Sequence, residues 1–176
     1  MEVNRPGHRL TKRAFDYLLA IYILTIQRKR SARLTEISQY VGVTAPSAYE
    51  YISELVEMGY IYKMGRGQYS LTPQGVEAIL RRIWAHGVLE EMLVRVFKID
   101  IEAACSIASN IDLEIEQKEI EKICSTLGHP RKCPHGMKIP HGGGFDEALE
   151  RGMCIKIYEI MIAVIDDASV KRTPSI

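Results

Sequence analysis

The sequence lacks the features that identify several large classes of protein. No apolar run reaches the roughly 18 residues that a membrane-spanning helix needs. The basic N-terminal stretch MEVNRPGHRLTKR is not followed by a long apolar segment and a cleavage site, which argues against a secretory signal peptide. No internal repeat or low-complexity segment is present. These absences predict an ordinary globular protein that is not associated with a membrane.

Cysteines are few, and no two of them form a CxxC pair. Cys105, Cys124, Cys133 and Cys154 are the four in a chain of 176 residues. This spacing indicates reduced thiols rather than a disulfide framework, so we expect a cytoplasmic protein.

The sequence also lacks a glycine-rich phosphate loop, an activated nucleophile beside a base and paired catalytic carboxylates with a histidine. We therefore predict that it is not an enzyme and has no small organic substrate.

The chain has almost no net charge, but its two halves differ in sign. Lys and Arg total 23 against 22 Asp and Glu, for a formal charge of +1. Residues 1–75 hold 10 basic and 6 acidic residues, a balance of +4, whereas residues 76–176 hold 13 and 16, a balance of −3. A basic first half is compatible with nucleic-acid binding, although the total charge hides it.

Helical periodicity and one hairpin pattern organise the first half. Apolar residues recur at helical spacing over 10–27, and a short helix is predicted from Thr35 to Gly42. Thr44 is a candidate N-cap for a third helix that has Pro46 in its first turn and ends at Gly59. Two β-rich pieces, 60–64 and 68–71, flank the sequence GRG and predict a hairpin. This order of elements is typical of a winged helix-turn-helix.

Such a fold would read DNA with its third helix. We expect the N-terminal end of that helix to enter the major groove and the hairpin to reach a phosphate or the minor groove. The candidate DNA-binding residues are Thr44, Pro46, Ser47, Tyr49, Glu50, Lys63 and Arg66, with Tyr51 as a further candidate. The alternative is that these are only solvated surface residues.

The pattern of the second half predicts helices and one loop. The pattern predicts a long helix over 74–97 broken only at Gly87, helices near 101–112 and 116–127, and a final helix over 146–168. The proline- and glycine-rich stretch 129–144 predicts a loop. We therefore expect a mainly α protein in which an N-terminal winged helix-turn-helix precedes an all-helical domain.

Candidate metal ligands occur at helical spacing in this second half. His86 and Glu90 are four residues apart and project from the same helix face. The next helix carries Cys105, Ser109 and Asp112 at i, i+4 and i+7. The acidic Asp16 lies among apolar neighbours on the first helix, and the whole set is suited to a first-row transition metal. A surface His–Glu pair and a core-packing cysteine are the alternatives, and Cys105 could also act as a thiol switch.

The loop offers a separate candidate group. His129, Cys133, His135 and His141 could form a small metal site, against the alternative of a purely structural role.

Several stretches make the sequence similar to the diphtheria-toxin-repressor and manganese-transport-regulator family of metal-dependent repressors. They are DYLLAIYIL, LTEISQYVGVTAPSAYEYISELVEMGYI, LTPQGVEAI, HGVLEEMLVRVFKID and the distinctive loop LGHPRKCPHGMKIP. The resemblance covers about residues 10–140. It implies a DNA-binding winged helix, a helical dimerisation domain and metal ions where the two meet, without the SH3-like domain of longer members.

The resemblance also implies roles for individual residues. Asp16 matches the aspartate of manganese-sensing members, and His86 and Glu90 match ligands of the ancillary site. Cys105 replaces another histidine ligand of that site. At the other site of the family, Ser109 stands where members have a cysteine or a glutamate, and Asp112 stands where they have a glutamate. Leu113 replaces a histidine and cannot bind metal.

We therefore predict a homodimeric transcriptional repressor that responds to Fe²⁺, Mn²⁺ or Zn²⁺ and binds a palindromic double-stranded DNA operator. Its predicted parts are a DNA-binding domain (1–72), a helical metal-binding and dimerisation domain (73–144) and a C-terminal oligomerisation helix (145–176). The predicted metal ligands are Asp16, His86, Glu90, Cys105, Ser109 and Asp112. The alternative is a metal-independent or redox-responsive regulator on the same scaffold.

Overall fold

A computed structural model of the chain describes residues 10–141, apart from the side chains of 26–28. The predicted C-terminal helix therefore lies outside the described residues. The chain divides into two compact units, Met1–Ile79 and Leu80–Ile176. Within the described residues no helix is long and apolar enough to cross a membrane.

The first unit begins with three helices, α1 (Lys12–Arg28), α2 (Leu34–Val41) and α3 (Ala45–Glu57). Gly42 ends α2 in the left-handed conformation, with φ of 76°, which glycine adopts without steric cost. Thr44 then caps α3 by accepting a hydrogen bond from the Ser47 N–H at 3.4 Å. The connection of Gly42, Val43 and Thr44 therefore forms the predicted turn between the two helices.

A small antiparallel sheet completes this unit. Strands β2 (Ile61–Gly65) and β3 (Gln68–Leu71) form the predicted hairpin, and β1 (Ala32–Arg33) pairs with the other edge of β3. The strand order is β1-β3-β2. The sequence does not predict strand β1, because two residues are too few to show the alternating pattern of a strand. The buried Tyr69 on the central strand belongs to the core of this unit.

The second unit is helical. Helix α4 (Pro73–Arg95) leads into it, followed by α5 (Ile101–Ile111), α6 (Gln117–Thr126) and the loop to residue 141. The predicted break at Gly87 is wrong, since α4 runs through it without interruption. A Cβ atom at Gly87 would lie 2.7 Å from Cγ1 of Ile139, so glycine is required there for close packing of the loop.

Each unit has its own hydrophobic core. In the first, the fully buried side chains include Tyr17, Leu18, Ile37, Ile52 and Leu55. The second is built from Ala85, Val88, Leu89, Leu93, Ala104, Ala108, Ile120, Cys124, Leu127, Cys133 and Ile139. Full burial of a single Leu or Ile side chain contributes about 1.5–3 kcal/mol to the stability of the folded state, so each core stabilises its own unit. The prediction of a mainly α fold with an N-terminal winged helix-turn-helix is confirmed.

Candidate functional site

The N-terminal end of α3 presents polar side chains to solvent. Thr44, Pro46, Ser47, Tyr49 and Glu50 are all exposed. The Thr44 and Ser47 hydroxyls lie 3.1 Å apart, so the capping interaction orders the first turn of the helix. The dipole of α3 favours negative charge at this end, which suits contact with a phosphate.

The hairpin adds cationic groups beside this helix end. Lys63 Nζ lies 6.0 Å from the centre of the Tyr49 ring, a cation–π contact between β2 and α3. Arg66 is exposed in the turn between β2 and β3. The structure therefore brings together the predicted residues of helix and wing on one unit.

Tyr51, one turn after Ser47 on α3, contacts helix α1. Its ring stacks on Tyr17 of α1 with centroids 4.8 Å apart, and its hydroxyl lies 2.8 Å from that of Thr11. Tyr51 therefore anchors α3 to α1, and its candidacy as a DNA contact stays a prediction.

Three of the predicted metal ligands meet in the second unit. His86, Glu90 and Cys105 are all buried, and one donor atom from each lies within 4.8 Å of the other two. The Cys105 Sγ and the Glu90 Oε2 lie 3.7 and 3.8 Å from the same atom, Nε2 of His86. Helices α4 and α5 thus supply one nitrogen, one oxygen and one sulfur donor to a single point.

Asp112 approaches the other side of the same imidazole. Its Oδ2 lies 3.4 Å from His86 Nδ1, and the carboxylate also pairs with Arg82 Nε at 3.3 Å. A carboxylate in this place fixes the ring and leaves Nε2 for the cluster. Ser109 donates its hydroxyl to the Cys105 carbonyl at 2.9 Å. In this arrangement both residues position ligands, while their predicted role as ligands stays a prediction.

Glu90 has the electrostatic environment of a cation ligand. Its side chain is 0% exposed, and its oxygens face the imidazoles of His86 and His135 and the thiol of Cys133. Burial, with a further contribution from Cys133, raises the pKa of Glu90 to about 8, while His135 opposes the shift. A divalent cation would compensate the buried carboxylate, so the residues present fit a metal ion.

The loop places two more potential metal ligands beside Glu90. Cys133 and His135 form a second candidate group with this carboxylate, and His135 Nδ1 is in direct contact with Oε1. Burial lowers the pKa of His135, but Glu90 and Glu102 outweigh that effect and raise it. A cavity of about 20 Å³, bordered by His86 and Cys133, adjoins the two groups. That volume corresponds to about one water molecule, and the rest of the lining is mostly apolar.

The proposed four-residue loop site does not form. Cys133 and His135 join Glu90, whereas His129 and His141 join Cys124 in a separate group. Sequence reasoning missed Cys124 because this residue lies in the last turn of α6, outside the loop pattern. The one available signal was a cysteine five residues before a histidine with a helix-ending glycine, Gly128, between them.

Asp16 belongs to α1 of the first unit and is exposed. Burial, reinforced by the charge of Asp16, raises the pKa of Tyr40 to about 12. The role of Asp16 in a metal site stays a prediction from the resemblance.

Two family models match the chain over most of its described length. The iron-dependent repressor N-terminal DNA-binding domain matches residues 9–67, and the iron-dependent repressor metal-binding and dimerisation domain matches residues 72–141. The second range contains the buried cluster of His86, Glu90 and Cys105.

Individual relatives agree with these matches. The transcriptional regulator MntR of Bacillus pumilus is 30% identical over 109 residues, which are 61% of this chain and 74% of that protein. A hypothetical protein of Sulfolobus solfataricus has a similar crystal structure, with a TM-score of 0.70 and 32% identity over 75% of this chain and 100% of that one. IdeR of T. acidophilum matches with a TM-score of 0.55 and 29% identity, over 78% of this chain and 63% of its own.

Proposed function

Because this chain belongs to the iron-dependent repressor family of metal-dependent, DNA-binding transcriptional repressors, we propose that it is a homodimeric repressor whose operator binding is controlled by a divalent metal at His86, Glu90 and Cys105. The observation that carries this proposal is the fully buried Glu90 carboxylate, which faces two imidazoles. Binding to chromosomal DNA would place the protein in the cytoplasm.

The donor set favours particular metals. Imidazole, carboxylate and thiolate together suit Zn²⁺ or Fe²⁺ better than Mn²⁺, which prefers oxygen ligands. When bound, the ion would supply the positive charge that lets Glu90 and Cys105 remain ionised in a buried site. Asp112 would hold His86 in the orientation that presents Nε2. The loop residues Cys133 and His135 would close the site around Glu90.

The DNA contacts divide by chemistry. In this proposal Thr44 and Ser47 at the start of α3, with Lys63 and Arg66 of the wing, would contact phosphates and base edges. A dimer with one winged helix per half-site would recognise a palindromic operator, because the two-fold symmetry of the protein is matched by that of the DNA. In this proposal residues 1–72 bind DNA, 73–144 bind metal and dimerise, and 145–176 support oligomerisation.

Exposed apolar side chains support the homodimer. Val96 and Phe97, just after α4, are 55% and 61% exposed, and Ile101 and Ile107 of α5 are each 38% exposed. Such groups are typical of a surface that a second copy covers.

A DNA-binding assay tests the proposal. The probe is the DNA upstream of the protein's own gene, with chelator or with saturating Fe²⁺, Mn²⁺ or Zn²⁺. We expect the operator Kd to fall by about 5- to 150-fold with at least one metal, the usual range of coupling between two sites. Equal affinity with chelator and with all three metals would contradict the proposal. A Cys105→Ser variant tested under oxidant distinguishes the redox-responsive alternative, which the family match does not favour.

A further inference from the structure

A second group of potential ligands lies at the C-terminal end of α6. Cys124, in the last turn of the helix, is buried, and its Sγ lies 3.5 Å from Nδ1 of His129 and 3.3 Å from Nε2 of His141. All three donor atoms lie within 4.8 Å of one another. This group shares no residue with the cluster of His86, Glu90 and Cys105.

The backbone after α6 brings His129 back to Cys124. Gly128 and His129 both have positive φ, 75° and 55°, and the His129 N–H donates to the Cys124 carbonyl at 2.9 Å. A non-glycine residue seldom adopts this conformation, and a strained backbone is frequent where a side chain must be aimed. The turn places an imidazole five residues further on directly against the thiol.

The backbone carbonyl of Ile139 in the loop orients the His141 ring. Its Nδ1 lies 3.1 Å from the Ile139 carbonyl, which can only accept a hydrogen bond, so the proton resides on Nδ1. The lone pair of Nε2 is then directed at Cys124. A backbone carbonyl that fixes the tautomer in this way is typical of histidines that bind metals.

The spacing of the donors fits a tetrahedral zinc ion. With Zn–S of about 2.3 Å and Zn–N of about 2.0–2.1 Å, tetrahedral angles put sulfur and nitrogen about 3.5 Å apart. The observed separations are 3.5 and 3.3 Å. A thiol hydrogen-bonded to two imidazoles has a similar spacing, so the two states differ in bound metal and in one proton rather than in shape.

We propose that Cys124, His129 and His141 bind a zinc ion that fastens both ends of the loop 129–141 to the end of α6. The ion takes three protein ligands and one further ligand such as water, and the Cys124 thiol proton is released on binding. Within the loop 129–141, the Cys133 N–H donates to the Met137 carbonyl at 2.9 Å. Cys133 and His135 of the same loop face Glu90. The zinc ion thereby holds the loop donors in place beside the other cluster. The inference does not depend on the proposed function.

Zinc content and cobalt substitution test this site in the full chain. After exhaustive dialysis against dilute Zn²⁺, we expect Cys124→Ser and His141→Asn each to hold one zinc equivalent per chain less than the wild type. In Co²⁺-loaded protein the sulfur-to-cobalt charge-transfer absorption should lose the Cys124 contribution in Cys124→Ser and keep it in Cys105→Ser. Circular dichroism identifies any variant that fails to fold, and His141→Asn, in the loop outside the helices, provides the second route if Cys124→Ser does.

The control is the other cluster. Cys105→Ser removes a donor from that cluster alone, so its loss of metal should add to that of Cys124→Ser in the double variant. Zinc content and cobalt spectra that are the same in wild type, Cys124→Ser and His141→Asn would overturn the proposal. DNA plays no part in either measurement, so a failure here is distinguishable from a failure of the repressor function.

Discussion

Among single residues, Glu90 has the most demanding environment. It is fully buried, contacts His86 and His135, and has a pKa raised to about 8, mainly by burial. An isolated buried carboxylate is costly, and its protonation or a nearby cation removes that cost. Burial therefore favours the protonated carboxyl when no cation is near, and a bound cation would take the place of that proton.

Asp112→Asn is expected to weaken metal binding without removing a donor from the cluster of His86, Glu90 and Cys105. The substitution weakens the contact to His86 Nδ1 that fixes the ring, and loss of such supporting contacts typically costs about 10–100-fold in metal affinity. Competition against a chromophoric chelator measures the change. Glu116→Gln, an exposed carboxylate of the same unit, is the control and should bind metal as the wild type does. Unchanged affinity in Asp112→Asn would show that Asp112 does not support His86.

Gly87→Ala should destabilise the second unit. The new Cβ would lie 2.7 Å from Ile139 Cγ1, and overpacking of this kind costs about 1–3 kcal/mol. Chemical denaturation of Gly87→Ala, Ile139→Ala and the double variant gives the free energy of unfolding. Because Ile139→Ala removes the clashing atom, the double variant should lose less than the two single losses combined. Strict additivity would mean that the contact is not responsible.

At the scale of elements, helix α3 and the β2–β3 hairpin form one surface. The Lys63–Tyr49 contact joins them, and Arg66 extends from the turn of the hairpin. Thr44 and Ser47 order the start of the helix through their hydroxyls. Phosphate contacts from these groups would fix the register of the protein on DNA, whereas base-edge contacts from α3 would give specificity.

Arg66→Ala should weaken DNA binding to a similar extent on operator and unrelated DNA. An arginine that contacts a phosphate releases about one counterion, so the slope of log K against log salt should become shallower by about 1. Fluorescence anisotropy at several salt concentrations measures it. Lys118→Ala removes an exposed cation of the second unit and should leave the slope unchanged. A slope in Arg66→Ala equal to that of the wild type would exclude a phosphate contact.

The elements could be predicted where local signals agree. Thr44, Pro46 and Gly42 mark the ends of α2 and α3 through capping and glycine conformation, and the structure has both helices there. Strand β1 carries no periodic signal in two residues. Gly87 predicts a break by its low helix propensity, but packing against Ile139 requires it inside an intact helix.

The candidate site was predictable only along single helices. The i, i+4 spacing of His86 and Glu90 places both on one face, and Cys105 follows on the next helix. The distribution of the loop donors depends instead on how the loop folds back, which local sequence does not encode. For this reason Cys133 and Cys124, in two different groups, could not be assigned in advance.

At the scale of the whole molecule, a near-neutral chain consists of a basic first half and an acidic second half. In a homodimer each imbalance would double, so two basic DNA-binding units would accompany a more acidic helical part. Specific DNA binding depends on the placement of a few cations more than on their sum.

Phe97→Glu should convert the dimer to a monomer. The ring is 61% exposed beside the exposed Val96, and a charge there would have to be desolvated in a subunit interface. Sedimentation equilibrium over a range of concentrations measures the association. Tyr62→Glu, on a ring that is 53% exposed in the first unit, is the matched control and should remain dimeric. A dimer of unchanged affinity in Phe97→Glu would place the interface elsewhere.

The most direct test is the operator affinity of wild type and His86→Ala, each with chelator and with the metal that activates the wild type. His86 contacts both Glu90 and Cys105, so its loss should abolish the metal response while the metal-free affinity stays that of the wild type. A circular dichroism melt confirms that the variant is folded. The same metal-dependent gain in both proteins would contradict control of DNA binding through this cluster.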